Sequence, residues 1–209
     1  MKSRKMLTRR FDKNRFVALL YLSNASNPFH FEDVKTAPLD FDRGERLVDL
    51  GAYCLMTNHF HLLLRERQEG GISRFMHSLG TGYTMYFNKR RQRRGSLFEG
   101  NFRATHAGED QYLNYLFAYI HLNPVKMIQA DWREVGLQDQ LATKNFLDHY
   151  DYSSYKDYLG TVRVENKILT RETFPEYFST AKDFDGFLSD WLTYADDDTH
   201  EASPRGRSR

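Results

Sequence analysis

The feature that most constrains the fold is a pair of apolar segments joined by a short turn. Residues 50–56 and residues 59–65 each have the length and apolar content of a strand, and Thr57-Asn58 between them is typical of a turn. Two strands that are separated by so few residues pair as an antiparallel hairpin. The sequence therefore predicts a β-hairpin over residues 50–65.

The segments on either side of the hairpin show both strand and helix patterns. Apolar residues recur at helical spacing after Gly70-Gly71, and a later helix is expected to end by Asn123 because the residue before Pro124 is disfavoured in a helix. The predicted elements are, in chain order, a strand at 16–22, a helix within 29–50 that ends near Gly51, the hairpin, a helix at 72–89, a strand at 97–106 and a helix from about 109 to 123. This order favours an α+β fold with a ferredoxin-like antiparallel sheet and helices.

The remainder of the chain has a different composition. Residues 130–200 are acidic and rich in aromatic side chains, and we expect them to pack as short helices. The chain is therefore divided into two predicted domains, residues 1–130 and a mainly helical extension over residues 131–209 that ends in a short basic tail.

Composition excludes several classes of protein. Hydrophobic residues make up 40% of the chain and aromatic residues 15%, which argues against disorder as the main state. Cys54 is the only cysteine, so neither an intramolecular disulfide nor a cysteine-based zinc cluster is possible. No apolar stretch approaches the ~20 residues that a membrane helix needs, and the first 15 residues show no secretory signal. We therefore expect a cytoplasmic protein without membrane contact.

The net charge of +2 conceals a strong segregation of charge. Residues 1–15 hold seven basic and one acidic residue, residues 82–106 hold six and one, and residues 131–200 hold seven and 15. The three segments thus carry +6, +5 and −8, which predicts a basic face separate from an acidic module. The alternative is two solvated surfaces of opposite sign. The candidate DNA-contacting residues are Arg9, Arg10, Arg90, Arg91, Arg93, Arg94 and Arg103.

Two histidines on the second predicted strand form a candidate metal half-site. Alternate residues of a strand share a face, so His59 and His61 point the same way while Phe60 points to the other face. Two imidazoles beside a turn suit a divalent metal, but such a pair needs further ligands. The alternative is two surface histidines that bond to their neighbours.

A second candidate motif lies at the end of the last predicted helix. Tyr119 and Asn123 are four residues apart and so lie one turn apart on one helical face. Tyr119 offers a phenol that acts as a nucleophile once it is deprotonated, and Asn123 offers an amide oxygen suited to Mg²⁺ or Mn²⁺. The alternative is a core tyrosine and an asparagine that ends the helix.

The two motifs together are more specific than either alone. Residues 54–64 and 119–125, which contain the histidine pair and the tyrosine, resemble the single-tyrosine transposases, which are insertion-sequence 200-type members of the His-hydrophobe-His (HUH) superfamily of single-strand DNA endonucleases. Residues 94–103 are similar to the family's strand before the tyrosine helix. The resemblance covers about residues 10–130. Residues 152–155 and the long extension look more like the REP-associated tyrosine transposases than the shorter enzymes.

The resemblance implies a complete reaction scheme. Tyr119 would attack a phosphodiester of single-stranded DNA, form a 5′-phosphotyrosine intermediate and free a 3′-hydroxyl, and rejoining would reverse the step. His59, His61 and Asn123 would hold Mg²⁺ or Mn²⁺, and no nucleotide cofactor is expected because the chain has no Gly-rich P-loop. The expected substrate is hairpin-forming, REP-like palindromic DNA, and residues 1–130 would be the catalytic domain.

The chain departs from the family pattern at three positions. Thr57 stands where a proline is common, a change of little expected consequence. Glu99 and Asn101 stand where glutamine and arginine are common, and we expect these two to weaken or redirect DNA contacts. Two other functions compete with transesterification: a catalytically silent hairpin-binding protein of the same fold, and a metal-dependent hydrolase that uses the histidine pair with water. The family allows either a monomer or a homodimer.

Overall fold

The computed structural model describes residues 5–193, in which helices surround one β-hairpin. The expected basic tail at residues 204–209, and the first four residues of the basic N-terminal segment, lie outside the described residues. The α-helices are α1 (Arg10–Leu22), α2 (Phe31–Val34), α3 (Gly71–Arg91), α4 (Asp110–Leu122), α5 (Trp132–Val135), α6 (Gln140–Asp148), α7 (Tyr155–Tyr158) and α8 (Ala181–Thr193), and the strands are β1 (Val48–Leu55) and β2 (Phe60–Glu66). Short 3₁₀ helices span Pro38–Asp40, Asn123–Met127, Val164–Ile168 and Arg171–Thr173.

The predicted hairpin is confirmed. β1 and β2 pair antiparallel, with Cys54 opposite His61 and Leu55 opposite Phe60. The backbone N–H of Met56 donates to the carbonyl of His59 at 2.9 Å and closes the turn. The turn of the hairpin thus ends at His59, directly before β2.

Helices cover both faces of the hairpin. On one face Phe60 packs with α1 and α3, and its ring centroid lies 4.8 Å from that of Phe16. On the other face Ala52 and Leu63 pack with Phe117 of α4. Both faces of β1 are covered, which explains why this strand is buried along its whole length and shows no alternation of polar and apolar residues.

The free edge of β1 is covered by the C-terminal region rather than by a third strand. The backbone N–H of Leu55 donates to Tyr152 O at 2.8 Å, and that of Ser154 donates to Tyr53 O at 3.0 Å. Further along, the Thr170 N–H donates to Leu50 O at 2.9 Å. These bonds satisfy backbone groups that a buried strand edge would otherwise leave unpaired. The C-terminal region therefore braces β1, whereas the boundary near residue 130 stays a prediction.

Residues 16–22 form a helix, so the predicted first strand is wrong. They are the second half of α1, in which every residue from Phe16 to Leu22 is buried. A short run of apolar residues that is buried on all sides has neither a strand nor a helix period, and so the pattern could not separate the two.

The predicted strand at residues 97–106 is also wrong. Gly95 and Gly100 have φ values of 86° and 89°, which interrupt an extended chain, and residues 99–106 are exposed with no regular structure. Of the helix predicted within 29–50, only α2 and the 3₁₀ helix at Pro38–Asp40 form.

The helices predicted around the site are confirmed as α3 and α4. The α+β class is confirmed as well, but the described residues form a single sheet of two strands, so the ferredoxin-like arrangement is not confirmed. None of the helices within residues 5–193 has the combination of length and apolar character that crossing a membrane requires.

Candidate active site

The hairpin turn places the two predicted histidines side by side. The ring centroids of His59 and His61 are 4.9 Å apart and the rings are perpendicular. His59 is exposed at the turn, and its Nδ1 lies 2.8 Å from the side-chain oxygen of Asn58. His61 is half-buried on the strand.

The side chain of His61 has an unused ligand atom. Its Nε2 is buried and has no hydrogen-bond partner in the described structure. Burial, together with the nearby His59, Lys126 and Arg133, lowers the pKa of His61 to about 4. Partial burial and Lys126 also lower the pKa of His59. Both imidazoles are therefore neutral near pH 7, which is the form that carries a lone pair for a metal.

Tyr119 comes from the other motif and meets this pair. Its ring centroid lies 5.2 Å from that of His61, with the rings perpendicular. Tyr119 is half-buried on α4, whose apolar side packs against the hairpin through Phe117 and Ile120. The packing of one helix on one sheet face thus brings the two motifs together, as the resemblance implied.

Asn123 ends α4 and is nearly inaccessible, with 1% of its surface exposed. Its amide nitrogen donates to the backbone carbonyl of Tyr119 at 2.8 Å. This bond fixes the side chain within one turn of the tyrosine and leaves the amide oxygen as the atom suited to bind a cation. Its predicted role as a ligand stays a prediction.

The side chains at this position supply only part of the coordination sphere of a cation. Within residues 5–193 no group of three or more His, Cys, Asp or Glu side chains is placed to hold a metal. A cation bound by the histidine pair would therefore take further ligands from an amide such as Asn123, from water or from a phosphate.

A third histidine next to the site has a structural role. His121 is fully buried; its Nδ1 lies 2.8 Å from Phe117 O and its Nε2 lies 2.7 Å from Ser154 Oγ. Nδ1 must donate to the carbonyl, so Nε2 accepts from the hydroxyl. Burial lowers the pKa of His121 to about 4. The ring thus links the tyrosine helix to the C-terminal region.

Two basic residues near the histidine pair and Tyr119 carried no signal in the sequence. The guanidinium carbon of Arg133 lies 4.9 Å from the centroid of the Tyr119 ring. Lys126 follows Asn123 in the 3₁₀ helix, and burial and the charge of Arg133 lower its pKa. Neither residue belongs to a run of basic residues, so the sequence pattern did not indicate that they lie near the site.

The predicted DNA-contacting arginines fall into two groups. Arg9 and Arg90, from the two basic segments, converge on one aromatic ring, since their guanidinium carbons lie 5.7 and 3.5 Å from the centroid of Phe11. Arg91 pairs with the buried Asp12, at 3.3 Å. Arg10 is exposed beside these residues. This group is tied to the histidine turn, because residues 6 and 7 donate backbone hydrogen bonds to the carbonyl of residue 57.

The other group follows α3. Arg93 bonds internally, to the Asn88 side chain at 2.6 Å and to Ser96 O at 3.0 Å, which makes it a structural residue of this loop. Arg94 and Arg103 are exposed. The roles of all seven arginines in DNA binding stay predictions.

Comparison with known families supports the relation that the motifs indicate. Residues 44–123, fewer than half of the 209 residues, match the family model described as "Transposase IS200 like". The matched segment contains the histidine pair, Tyr119 and Asn123, and it supports the transposase family for this part of the chain. No curated protein and no solved structure gives a significant match. Lys126, Arg133 and the region that covers the β1 edge lie outside the matched segment.

Proposed function

We propose that this protein cleaves and rejoins single-stranded DNA by transesterification, with Tyr119 as the nucleophile. The observation that carries the proposal is the contact between Tyr119 and His61, at 5.2 Å between ring centroids. The family match supports DNA transposition as the general process and DNA as the partner. A tyrosine that only filled the core would have no need of a neutral imidazole beside it whose buried Nε2 has no hydrogen-bond partner in the described structure.

The reaction proceeds by exchange of one phosphodiester for another. Tyr119 loses its phenolic proton as its oxygen attacks the phosphorus, the P–O3′ bond breaks, and the 3′-oxygen takes up one proton to leave as a hydroxyl, so the step neither consumes nor releases a proton overall. The 5′-phosphate stays on the tyrosine, and attack by a 3′-hydroxyl reverses the step. Because the bond energy is kept in the phosphotyrosine, no nucleotide hydrolysis is needed.

His59, His61 and Asn123 would hold the divalent cation, Mg²⁺ or Mn²⁺. When bound, the cation supplies Lewis-acid polarisation of a phosphate oxygen. The chain itself contributes the neutral imidazoles and, through the Asn123–Tyr119 bond, a fixed distance between the amide and the nucleophile's helical turn. The cluster around Phe11, with Arg9, Arg10 and Arg90, supplies phosphate contacts along the strand. The substrate we propose is hairpin-forming, REP-like palindromic DNA, handled by a monomer or homodimer of the REP-associated type.

The decisive experiment is a covalent-capture assay. The protein is incubated with labelled hairpin DNA that has single-stranded flanks, in the presence of Mn²⁺, and adducts are resolved by denaturing electrophoresis. We expect an adduct with the wild type and none with Tyr119→Phe. Binding without an adduct would favour a silent hairpin-binding protein, and cleavage that survives Tyr119→Phe would favour a hydrolase that uses the histidine pair.

A further inference from the structure

Arg133 lies beside Tyr119, and the exposed Lys126 lies near enough to Arg133 and to the histidine pair for their charges to interact. Arg133 sits over the Tyr119 ring, and its charge, after the effect of burial, lowers the pKa of Lys126. Within residues 5–193 neither side chain forms an ion pair with a carboxylate. Glu134, the acidic neighbour, exerts only a weaker electrostatic effect on Lys126.

The position of Arg133 is held by buried structure. Its neighbour Trp132 is 2% exposed and packs in the core between α4, α6 and α8. The short helix α5 is tied back to the preceding turn, because the Gln129 side chain donates to Gly136 O at 2.7 Å. Arg133 itself is half-buried, whereas solvent-facing arginines usually extend freely. The surrounding structure therefore holds the Arg133 guanidinium in position over the Tyr119 ring.

Repulsion between these positive charges destabilises the site when it is empty and favours the binding of an anion. A partly desolvated guanidinium next to a second cation is repelled, and its charge also reaches His61. A phosphodiester would satisfy the five N–H donors of the guanidinium in a bidentate contact and would offset both charges. No residue of the described chain does so.

We propose that Arg133, assisted by Lys126, binds the scissile phosphate and holds it against Tyr119. The inference rests on the proposed function and extends it to residues beyond the segment that matches the transposase family. Arg133 would donate to the non-bridging oxygens, whose negative charge increases as the Tyr119 oxygen attacks. Arg133 is then a catalytic residue, because it touches the reacting group.

The first test measures adduct formation at saturating hairpin DNA with Mn²⁺. We expect Arg133→Gln to slow the reaction about 100-fold, the loss typical for a contact to developing charge. Arg133→Lys keeps the charge but lacks the planar guanidinium, so its rate of adduct formation should lie between those of the wild type and Arg133→Gln. The matched control is Arg74→Gln, an exposed arginine of α3 on the opposite side of the hairpin, which should react at the wild-type rate. An Arg133→Gln rate within about twofold of the wild type would overturn the proposal.

The second test does not depend on catalysis. In the Tyr119→Phe background, fluorescence anisotropy measures binding of a labelled thymidine oligonucleotide over a series of salt concentrations. Removing one phosphate contact should reduce the slope of log affinity against log salt by about 0.7 in Arg133→Gln and likewise in Lys126→Gln, but not in Arg74→Gln. Unchanged slopes would show that neither cation meets a phosphate.

The two tests separate the inference from the proposed function. If the wild type forms no adduct, transesterification is wrong, while the salt slopes still decide whether Arg133 meets DNA. Circular dichroism and thermal melting of each variant check folding, and Arg133→Lys with Lys126→Gln decide the outcome if Arg133→Gln does not fold.

Discussion

Replacing His121 should remove much of the acid sensitivity of folding. This ring is fully buried between the Phe117 carbonyl and the Ser154 hydroxyl, and its pKa falls from the ordinary 6.5 to about 4. Between these two values the unfolded chain binds a proton that the folded chain excludes. Acid therefore favours unfolding, and stability rises with pH throughout that window.

The size of the effect follows from the two pKa values. At pH 7 the unfolded form is mostly neutral and the cost to folding is small. At pH 5 the unfolded imidazole is almost fully protonated while the folded one is about 10% protonated, which costs about 2 kcal/mol of the free energy of unfolding. Below pH 4 the folded form also takes up the proton and the cost reaches its limit.

The assay is urea unfolding at pH 7 and at pH 5, followed by circular dichroism. We expect the wild type to lose about 2 kcal/mol more than His121→Gln between these pH values, whatever the starting stability of the variant. His61 is present in both proteins and its contribution cancels. The matched control is His30→Gln at an exposed histidine, which should lose stability in parallel with the wild type. If His121→Gln also tracked the wild type, His121 would not be held neutral and its burial between α4 and Ser154 would be wrong.

Three further outcomes follow from contacts described above. Replacing His61 with glutamine should weaken Mn²⁺ binding at least about tenfold by isothermal titration calorimetry, since it removes the ligand atom that has no other partner; equal affinity would exclude His61 as a ligand. Changing Asp12 to asparagine removes a buried charge that pairs with Arg91 and should lower the free energy of unfolding by about 1–2 kcal/mol in urea; a change near zero would mean that the pair is not formed in solution. Thr170→Val deletes the hydroxyl that accepts from the Leu50 N–H at 2.8 Å and should cost about 1–2 kcal/mol, with faster hydrogen exchange at Leu50; unaltered exchange would argue against the brace on β1.

Local patterns succeeded where a short stretch of chain contains all the information. The hairpin was predictable because a turn and two apolar segments are adjacent in sequence, and the register that pairs Cys54 with His61 follows from that turn. α3 and α4 were predictable because their apolar residues recur at helical spacing on one face. Asn123 was placed at the end of α4 because of the proline that follows it.

Local patterns do not predict structure where burial on all sides or contacts between distant residues decide the conformation. Residues 16–22 are apolar throughout, so nothing in their period distinguishes the observed α1 from a buried strand. The backbone groups at the edge of β1 form hydrogen bonds with residues about 100 positions away, such as Ser154 and Thr170. The sequence of a single strand does not indicate which distant segment will pair with it.

The order of residues along the chain supplies the side chains of the site, namely two histidines at strand spacing and a tyrosine with an asparagine one turn later. Their contact is a result of tertiary packing, because the distance between His61 and Tyr119 depends on how α4 packs across the hairpin. Tertiary packing alone also brought Arg133 over the tyrosine, through the burial of Trp132. Residue types and periodic spacing can be read from neighbouring positions in the sequence. The charges around a site depend on segments from distant parts of the chain that pack together.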